Sequence, residues 1–138
     1  MYDMNSIEKA EYQPPIIGRE SELITLQKRL LQNEVRLLTL TGAAGVGKTR
    51  MALVLLSHVR PLFAQSIYVD LTPLKKPEQV IPTIARVYDV KEGNPGLLTQ
   101  RLAEAIGVSQ LLLTLDNCEH VLKAKPEINF LLSACPNL

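Results

Sequence analysis

Tryptophan is absent from this 138-residue chain, and only two phenylalanines and four tyrosines supply aromatic side chains. An excess of charge of one sign is also lacking, because fifteen Lys and Arg residues face fourteen Asp and Glu residues and leave a formal net charge of +1. Proteins that bind nucleic acid directly usually carry a basic patch, often with aromatic side chains on which bases stack. The sequence therefore predicts no direct binding of nucleic acid by this chain.

Long apolar runs are missing as well, and cysteine is scarce. No stretch approaches the roughly 20 apolar residues that a membrane-spanning helix needs, and residues 1–12 are polar and acidic rather than a charged start followed by an apolar core. We therefore expect a cytoplasmic protein with no membrane partner. Two cysteines are too few for a disulfide framework, so we expect both to be reduced. The spacing of the Cys and His residues fits no pattern typical of a zinc site. These residues are His58, Cys118, His120 and Cys135.

Apolar residues make up 46% of the chain, which suits one domain with a buried core. Residues 1–15 have no sustained apolar pattern and end in Pro14-Pro15, so they predict an extended lead-in. The folded domain is expected to occupy residues 16–138.

Apolar spacing predicts helices and strands in alternation along this domain. Helices are predicted at residues 20–32, 48–59, 78–88 and 97–106, followed by two short helices after residue 119 with a break at Pro126. Buried strands are predicted at residues 35–41, 66–71 and 110–115. Alternating strands and helices favour an α/β fold in three layers, with a mostly parallel sheet between helices. Sheets usually have about five or six strands, so this one is either small or incomplete.

One segment of the chain matches a phosphate-binding loop. Residues 42–49 fit the pattern G-x-x-x-x-G-K-[ST] between a predicted strand and a predicted helix. Glycines let the backbone wrap closely around phosphate oxygens, and the N–H groups at the start of a helix attract an anion. Lys48 is predicted to reach the β- and γ-phosphates, and Thr49 to offer its hydroxyl to Mg²⁺. The residues predicted to contact the nucleotide here are Gly42, Ala43, Ala44, Gly45, Val46, Gly47, Lys48, Thr49 and Arg50.

This motif predicts binding of ATP or a close relative as its Mg²⁺ complex. The alternative is a glycine-rich turn that precedes Lys-Thr by coincidence, which is rare once the strand and helix around it are counted. No motif that reads guanine is apparent in the sequence.

An acid follows the third predicted strand, where ligands bind at the edge of α/β sheets. This acid, Asp116, is predicted to hold Mg²⁺ opposite Thr49; its alternative role is to cap the short helix after it. Asn117 stands where many such ATPases carry a second acid, and an amide cannot act as a general base. Glu119 could replace that base if the backbone turns it inward, and is otherwise a carboxylate that a helix start favours. The predicted catalytic residues are Lys48, Asp116 and Glu119.

A second acid, Asp70, ends the predicted strand at residues 66–71. It either touches the site at the same sheet edge or simply begins the loop before Thr72-Pro73.

Four segments together resemble the nucleotide-binding, NB-ARC-like module of STAND-class ATPases. The resemblance is strongest to the ATPases of bacterial transcriptional regulators of the LuxR and SARP types, and it covers about residues 16–138. The segments are Ile17-Gly18-Arg19-Glu20, LLTLTGAAGVGKTR, IYVDLTPL and LLLTLDNCEHVL.

The resemblance implies roles that the residues alone do not. It implies that Ile17, Gly18 and Arg19 line an adenine pocket, and that nucleotide-bound and released states act as a switch. It also implies a further strand ending in a polar sensor, placed between the strand before the loop and the strand ending at Asp116, followed by further domains. The chain is thus expected to be an N-terminal fragment whose partners are its missing C-terminal domains or other copies of itself.

The sequence leaves several functions open. The favoured one is a nucleotide-dependent switch that hydrolyses ATP slowly or not at all, and the main alternative is a non-hydrolysing nucleotide-binding scaffold or oligomerisation module. A fragment that folds only after pairing with another chain is a third. A phosphometabolite kinase ranks last, because no acceptor-binding or lid segment is recognisable.

Overall fold

The computed structural model of this chain describes residues 14–43, 45–91 and 93–138. Its α-helices are Glu20–Leu30 (α1), Lys48–Val59 (α2), Val80–Val87 (α3), Pro95–Ile106 (α4) and Lys125–Ala134 (α5). Short 3₁₀ segments lie at Arg60–Leu62, Pro77–Gln79 and Glu119–Ala124. The strands of the described part are Gln65–Asp70 (β1) and Leu111–Asp116 (β2). The lead-in through residue 13 and Ala44 of the predicted loop lie outside the described residues.

Local sequence explains where several helices begin and end. The Asn94 side chain accepts a hydrogen bond from the Gly96 N–H at 3.2 Å, and Pro95 occupies the first turn of α4, where its missing N–H costs nothing. Helix α2 ends at Val59, two residues before Pro61, as predicted. Within the described residues, none of the helices combines the length and apolar character that crossing a membrane requires.

The two strands pair in parallel, with Asp70 directly opposite Asp116 at their carboxyl ends. One face of the sheet, which includes Ile67, Val69 and Leu111, packs in the main core against α3, α4 and α5. On the opposite face Tyr68 is buried against α2. Helices therefore cover both faces of a parallel sheet, which confirms the predicted three-layer α/β class.

The prediction of a first strand at residues 35–41 was wrong. The segment is not a strand, and Leu37 is 59% exposed rather than buried. A strand is stabilised by hydrogen bonds to a neighbouring strand, and a groove of about 720 Å³ separates this segment from β2. Leu38 and Leu40 still pack against the cluster of α1 and α2. Apolar side chains of this segment therefore pack in a core, but its backbone pairs with none of the strands in the described part of the chain.

The predicted break at Pro126 lies close to the observed boundary, because the 3₁₀ segment ends at Ala124 and α5 begins at Lys125. Pro126 lies in the first turn of α5, where a missing N–H leaves no helical hydrogen bond unmade. The deviation in backbone geometry lies earlier, at Val121 within the 3₁₀ segment. Sequence spacing therefore located both helical segments of this region and placed their boundary within two residues of the observed one.

Arg36 joins the segment before the loop to the C-terminal helix. Its guanidinium donates hydrogen bonds to the carbonyl oxygens of Leu132 at 2.7 Å, Cys135 at 2.6 Å and Leu138 at 2.7 Å. The last carbonyls of a helix lack intrahelical partners, and a cation also suits the negative end of the helix dipole. Arg36 therefore caps α5 from almost one hundred residues away in sequence.

Candidate functional site

The glycine-rich loop leads directly into α2, as the motif predicts. Gly45 has φ +81° and Gly47 has φ +84°, a region of backbone geometry that side chains with a Cβ rarely adopt. A Cβ added at Gly42 would come within 2.9 Å of the Val46 side chain. Gly47 is the N-cap of α2 and gives no side-chain cap, so the first N–H groups of the helix stay available. This loop fits a phosphate, because its glycines keep the backbone clear of side chains at a helix start.

Lys48 and Glu119 meet across the mouth of this loop. The Lys48 ammonium donates to the Gly42 carbonyl at 2.8 Å and to the Glu119 carboxylate at 2.9 Å. The hydrogen bond from Lys48 is the main reason that the pKa of Glu119 is lowered from its ordinary value. The backbone thus turns Glu119 towards the loop, so it contacts the predicted phosphate-binding lysine although 71 residues separate them in sequence.

Asp116 ends β2 with both carboxylate oxygens oriented. Oδ1 accepts the backbone N–H of Asn117 at 2.9 Å, and Oδ2 accepts the hydroxyl of Tyr68 at 2.7 Å. Burial is the main cause that raises the pKa of Tyr68, with the bond to Asp116 second, so this hydroxyl remains a donor. The N-cap of the following 3₁₀ segment is Cys118 and not Asp116, which removes the capping alternative.

Asn117 and Asp70 connect the ends of the two strands. Asn117 has φ +58°, a left-handed conformation that Asn tolerates better than most residues, and its amide donates to Asp70 Oδ1 at 3.1 Å. The same oxygen accepts the N–H and hydroxyl of Thr72, at 2.9 and 2.6 Å. Asp70 therefore begins the loop and also touches the site edge, so its two predicted roles coincide.

The segment predicted to line an adenine pocket lies beside the loop. The Arg19 side chain donates to the Val46 carbonyl at 2.6 Å and pairs with Glu22 at 2.6 Å. Arg50 donates to the Pro14 carbonyl at 3.0 Å. Ile17 is 91% exposed. Two arginines therefore tie residues 14–19 to the loop and to the start of α2.

The Mg²⁺ and nucleotide predicted from the motif can be tested against the chemistry of these side chains. Mg²⁺ is coordinated by hard oxygen ligands, commonly one or two from the protein, with water and phosphate completing the shell. Each Asp116 oxygen accepts one hydrogen bond from the protein and retains further acceptor capacity. Among the described residues no group of three or more His, Cys, Asp and Glu side chains could hold a metal by itself. The Asp116 carboxylate fits as one protein ligand of a hydrated Mg²⁺ that is bound together with phosphate.

Several contacts at the site were beyond sequence reasoning. The resemblance implied that Arg19 lines an adenine pocket, and the structure adds that its side chain reaches a loop residue 27 positions away. The Tyr68 contact follows from the strand register, which the sequence alone does not give: Tyr68 lies opposite Thr114, and residues two apart share a sheet face, so Asp116 is its diagonal neighbour. Asp116, Lys48 and Glu119 line one continuous groove.

Comparison with known proteins gives a family and several relatives. A family model described as an AAA domain matches residues 32–138. Two proteins of Mycobacterium bovis and Mycobacterium tuberculosis, each named "Putative HTH-type transcriptional regulator", are 40% identical over 112 residues, covering 80% of this chain. An uncharacterized protein of Mycobacterium tuberculosis is 34% identical over 125 residues, covering 88% of this chain and 31% of its own length. The chain spans only 12% of the length of the two regulators. No solved structure gives a significant match.

Proposed function

This chain belongs to the AAA domain family of P-loop NTPases, and from that premise we propose that it binds an adenine nucleotide with Mg²⁺ as the switch module of a transcriptional regulator. The proposal rests on one observation: the glycine-rich loop leads into α2, whose first residue is Lys48. The same helix covers the sheet face on which Tyr68 and Asp116 lie. We propose that the protein is located in the cytoplasm, where ATP is available. The regulator context rests on the names of the relatives.

The proposed binding assigns a task to each group. The N–H groups of the loop and of the start of α2 bind phosphate oxygens, and Lys48 exchanges Glu119 for the β- and γ-phosphates. Thr49 and Asp116 hold Mg²⁺, which neutralises phosphate charge when bound. Ile17, Gly18 and Arg19 contact the adenine, as the NB-ARC resemblance implies. Their position beside the loop, through the Arg19 contact with Val46, supports this assignment.

Nucleotide binding without turnover is the second candidate, and Asn117 favours it. The residue that follows Asp116 bears an amide that is occupied by Asp70, so it provides no general base. Glu119 is the remaining candidate base, and it is paired with Lys48 until phosphate replaces it. The geometry therefore supports binding more directly than hydrolysis.

Calorimetric titration with ATP, ADP and GTP, with and without Mg²⁺, tests the proposal, and phosphate release is followed in the same samples. Adenine-selective binding without release supports the scaffold, and release above background supports an ATPase. Lys48→Ala should weaken binding at least about tenfold, because hydrogen bonds to charged groups contribute roughly 1.5–3 kcal/mol. Lys28→Ala, in the last turn of α1, is the matched control. Equal binding by Lys48→Ala and wild type contradicts the assignment.

We also propose that the groove beside β2 receives an extended segment, such as the sensor strand that the resemblance implies. The Leu111 N–H already bonds to the Asn137 carbonyl at 3.3 Å, while the Asp116 carbonyl accepts from Leu71 of the β1 side. Because backbone groups of a strand alternate in direction, Leu113 and Leu115 share the groove-facing edge with Leu111.

Hydrogen exchange tests this second proposal. The amides of Leu113 and Leu115 should exchange faster than those of Leu112 and Thr114, which face β1. In a longer version of the chain they should become protected. Protection that instead rises with protein concentration identifies a second copy as the occupant.

A further inference from the structure

The buried ring of Tyr68 fixes the position of the hydroxyl that contacts Asp116. The ring is buried at 6% exposure, packed with Leu53 and Leu56 of α2. From this position the hydroxyl donates to Asp116 Oδ2 at 2.7 Å. The donor is therefore placed by packing against the same helix that carries the phosphate loop, and an exposed side chain could not hold it so firmly.

A carboxylate without partners rotates easily, because the terminal torsion of Asp is broad and roughly two-fold. In this chain the Tyr68 hydroxyl engages Oδ2 and the Asn117 N–H engages Oδ1, so both oxygens are fixed before any ligand arrives. Side chains that bind metals are commonly oriented by such a second layer of hydrogen bonds, and removing one typically costs about 10–100-fold in metal affinity.

We propose that Tyr68 is a positioning residue that orients the Asp116 carboxylate towards the Mg²⁺ of a bound nucleotide. The inference rests on the proposed function, which assigns Mg²⁺ to Asp116. It adds that the metal-dependent part of nucleotide affinity depends on a hydroxyl of β1 that touches neither metal nor nucleotide.

The ordinary alternative is that Tyr68 only fills the core and satisfies its own hydroxyl. A buried tyrosine hydroxyl usually finds some partner, so the bond alone does not distinguish these roles. If Tyr68 has only a core role, Tyr68→Phe affects folding and changes nucleotide affinity equally with and without Mg²⁺. A positioning role changes only the Mg²⁺-dependent part, and only while Asp116 is present.

The experiment is a double-mutant cycle with Tyr68→Phe and Asp116→Asn, in which ATP affinity is measured with Mg²⁺ and with EDTA. Tyr68→Phe should reduce the Mg²⁺-dependent gain in affinity about tenfold, leave the affinity in EDTA unchanged, and have no effect in the Asp116→Asn background. Tyr88→Phe is the matched control, since the Tyr88 hydroxyl donates to Gln65 at 2.8 Å and lies outside the site.

The remaining outcomes separate failure of the inference from failure of the proposed function. If Asp116→Asn abolishes the Mg²⁺ effect but Tyr68→Phe does not alter it, or alters affinity equally in EDTA, the inference is overturned and the proposed function stands. If Asp116→Asn leaves the Mg²⁺ effect intact, the metal assignment and the inference both fail. Absence of any nucleotide binding by the wild-type chain overturns both as well.

A second variant keeps the test decisive if Tyr68→Phe does not fold. Replacing Tyr68 by 3-fluorotyrosine retains the ring and makes the hydroxyl a stronger donor. The inference expects this change to alter the Mg²⁺-dependent affinity with Asp116 present and not with Asn at that position. Equal behaviour in the two backgrounds overturns it.

Discussion

The Lys48 ammonium lies 2.9 Å from the Glu119 carboxylate, so the cation proposed to bind phosphate already has an anionic partner within the chain. The pair closes the mouth of the glycine loop, and phosphate must displace the carboxylate to reach Lys48. Both side chains retain solvent exposure, 24% for Lys48 and 64% for Glu119, so the pair contributes little to stability. The consequence of this pair is that Glu119 competes with the phosphate of the ligand for Lys48.

Glu119→Gln should therefore tighten the binding of tripolyphosphate, about three- to tenfold, in the absence of Mg²⁺. The amide removes a negative charge beside the phosphate site and frees Lys48 from a charge-assisted hydrogen bond. Calorimetry on the two proteins measures the change. Glu127→Gln, at an exposed acid in the first turn of α5, is the matched control and should leave affinity unchanged. Weaker binding by Glu119→Gln means that Glu119 helps to hold the ligand.

The same competition should depend on pH. Lys48 holds the pKa of Glu119 below its ordinary value of about 4.3. The ion pair is therefore complete above that ordinary value and is lost as the pH falls through the lowered pKa of Glu119. The ratio of wild-type to Glu119→Gln dissociation constants should be constant above about pH 5 and approach one at lower pH. Comparing the two proteins at each pH cancels protonation of the phosphate itself. A ratio that stays constant while the fold persists contradicts the competition.

Two glycines near helix starts should respond to alanine with opposite signs. Gly47→Ala places a Cβ at φ +84° and 3.4 Å from the Arg19 guanidinium, so it should lower the free energy of unfolding by about 1–3 kcal/mol and weaken nucleotide binding. Gly96→Ala meets only an ordinary contact of 3.7 Å within α4 and should stabilise by roughly 0.5 kcal/mol. Urea denaturation measures both. Equal effects at the two positions mean that the loop conformation is not strained for alanine.

Arg36→Ala should lower the free energy of unfolding by about 1–3 kcal/mol, because the Leu132 and Cys135 carbonyls at the end of α5 and the Leu138 carbonyl beyond it lose a charged donor. Arg36→Lys should lose part of that amount, since an ammonium keeps the charge but not the fork of donors. Arg29→Ala, at an exposed arginine in the last turn of α1, should change stability by less than about 0.5 kcal/mol. Indistinguishable losses for Arg36→Ala and Arg29→Ala contradict the capping role.

The sequence predicted the parts of this molecule that depend on local pattern. Helix α2 and strands β1 and β2 formed within a residue of their predicted bounds, because apolar spacing and Pro61 act over a few residues. The strand at residues 35–41 did not form, because a strand needs a partner that spacing cannot supply. The motif located Lys48, but its contact with Glu119 depends on how the chain after β2 turns.

Contacts between distant residues account for the rest. From the sequence alone Tyr68 has no role beyond its place in the predicted strand at residues 66–71, and only the register places it diagonal to Asp116. The resemblance implied an adenine-pocket role for Arg19, but it did not predict the contact of the Arg19 side chain with the Val46 carbonyl. Such pairs require tertiary structure, so no single-sequence pattern identifies them.

Two hydrogen bonds join residues 14–19 to the phosphate site: the Arg19 side chain donates to the Val46 carbonyl of the loop, and Arg50 of α2 donates to the Pro14 carbonyl. Because these hydrogen bonds connect the two segments, a movement of the loop should also move the backbone of residues 14–19. A spectroscopic probe attached near Pro14 should therefore report whether the loop is occupied, from a position outside the residues proposed to contact the nucleotide.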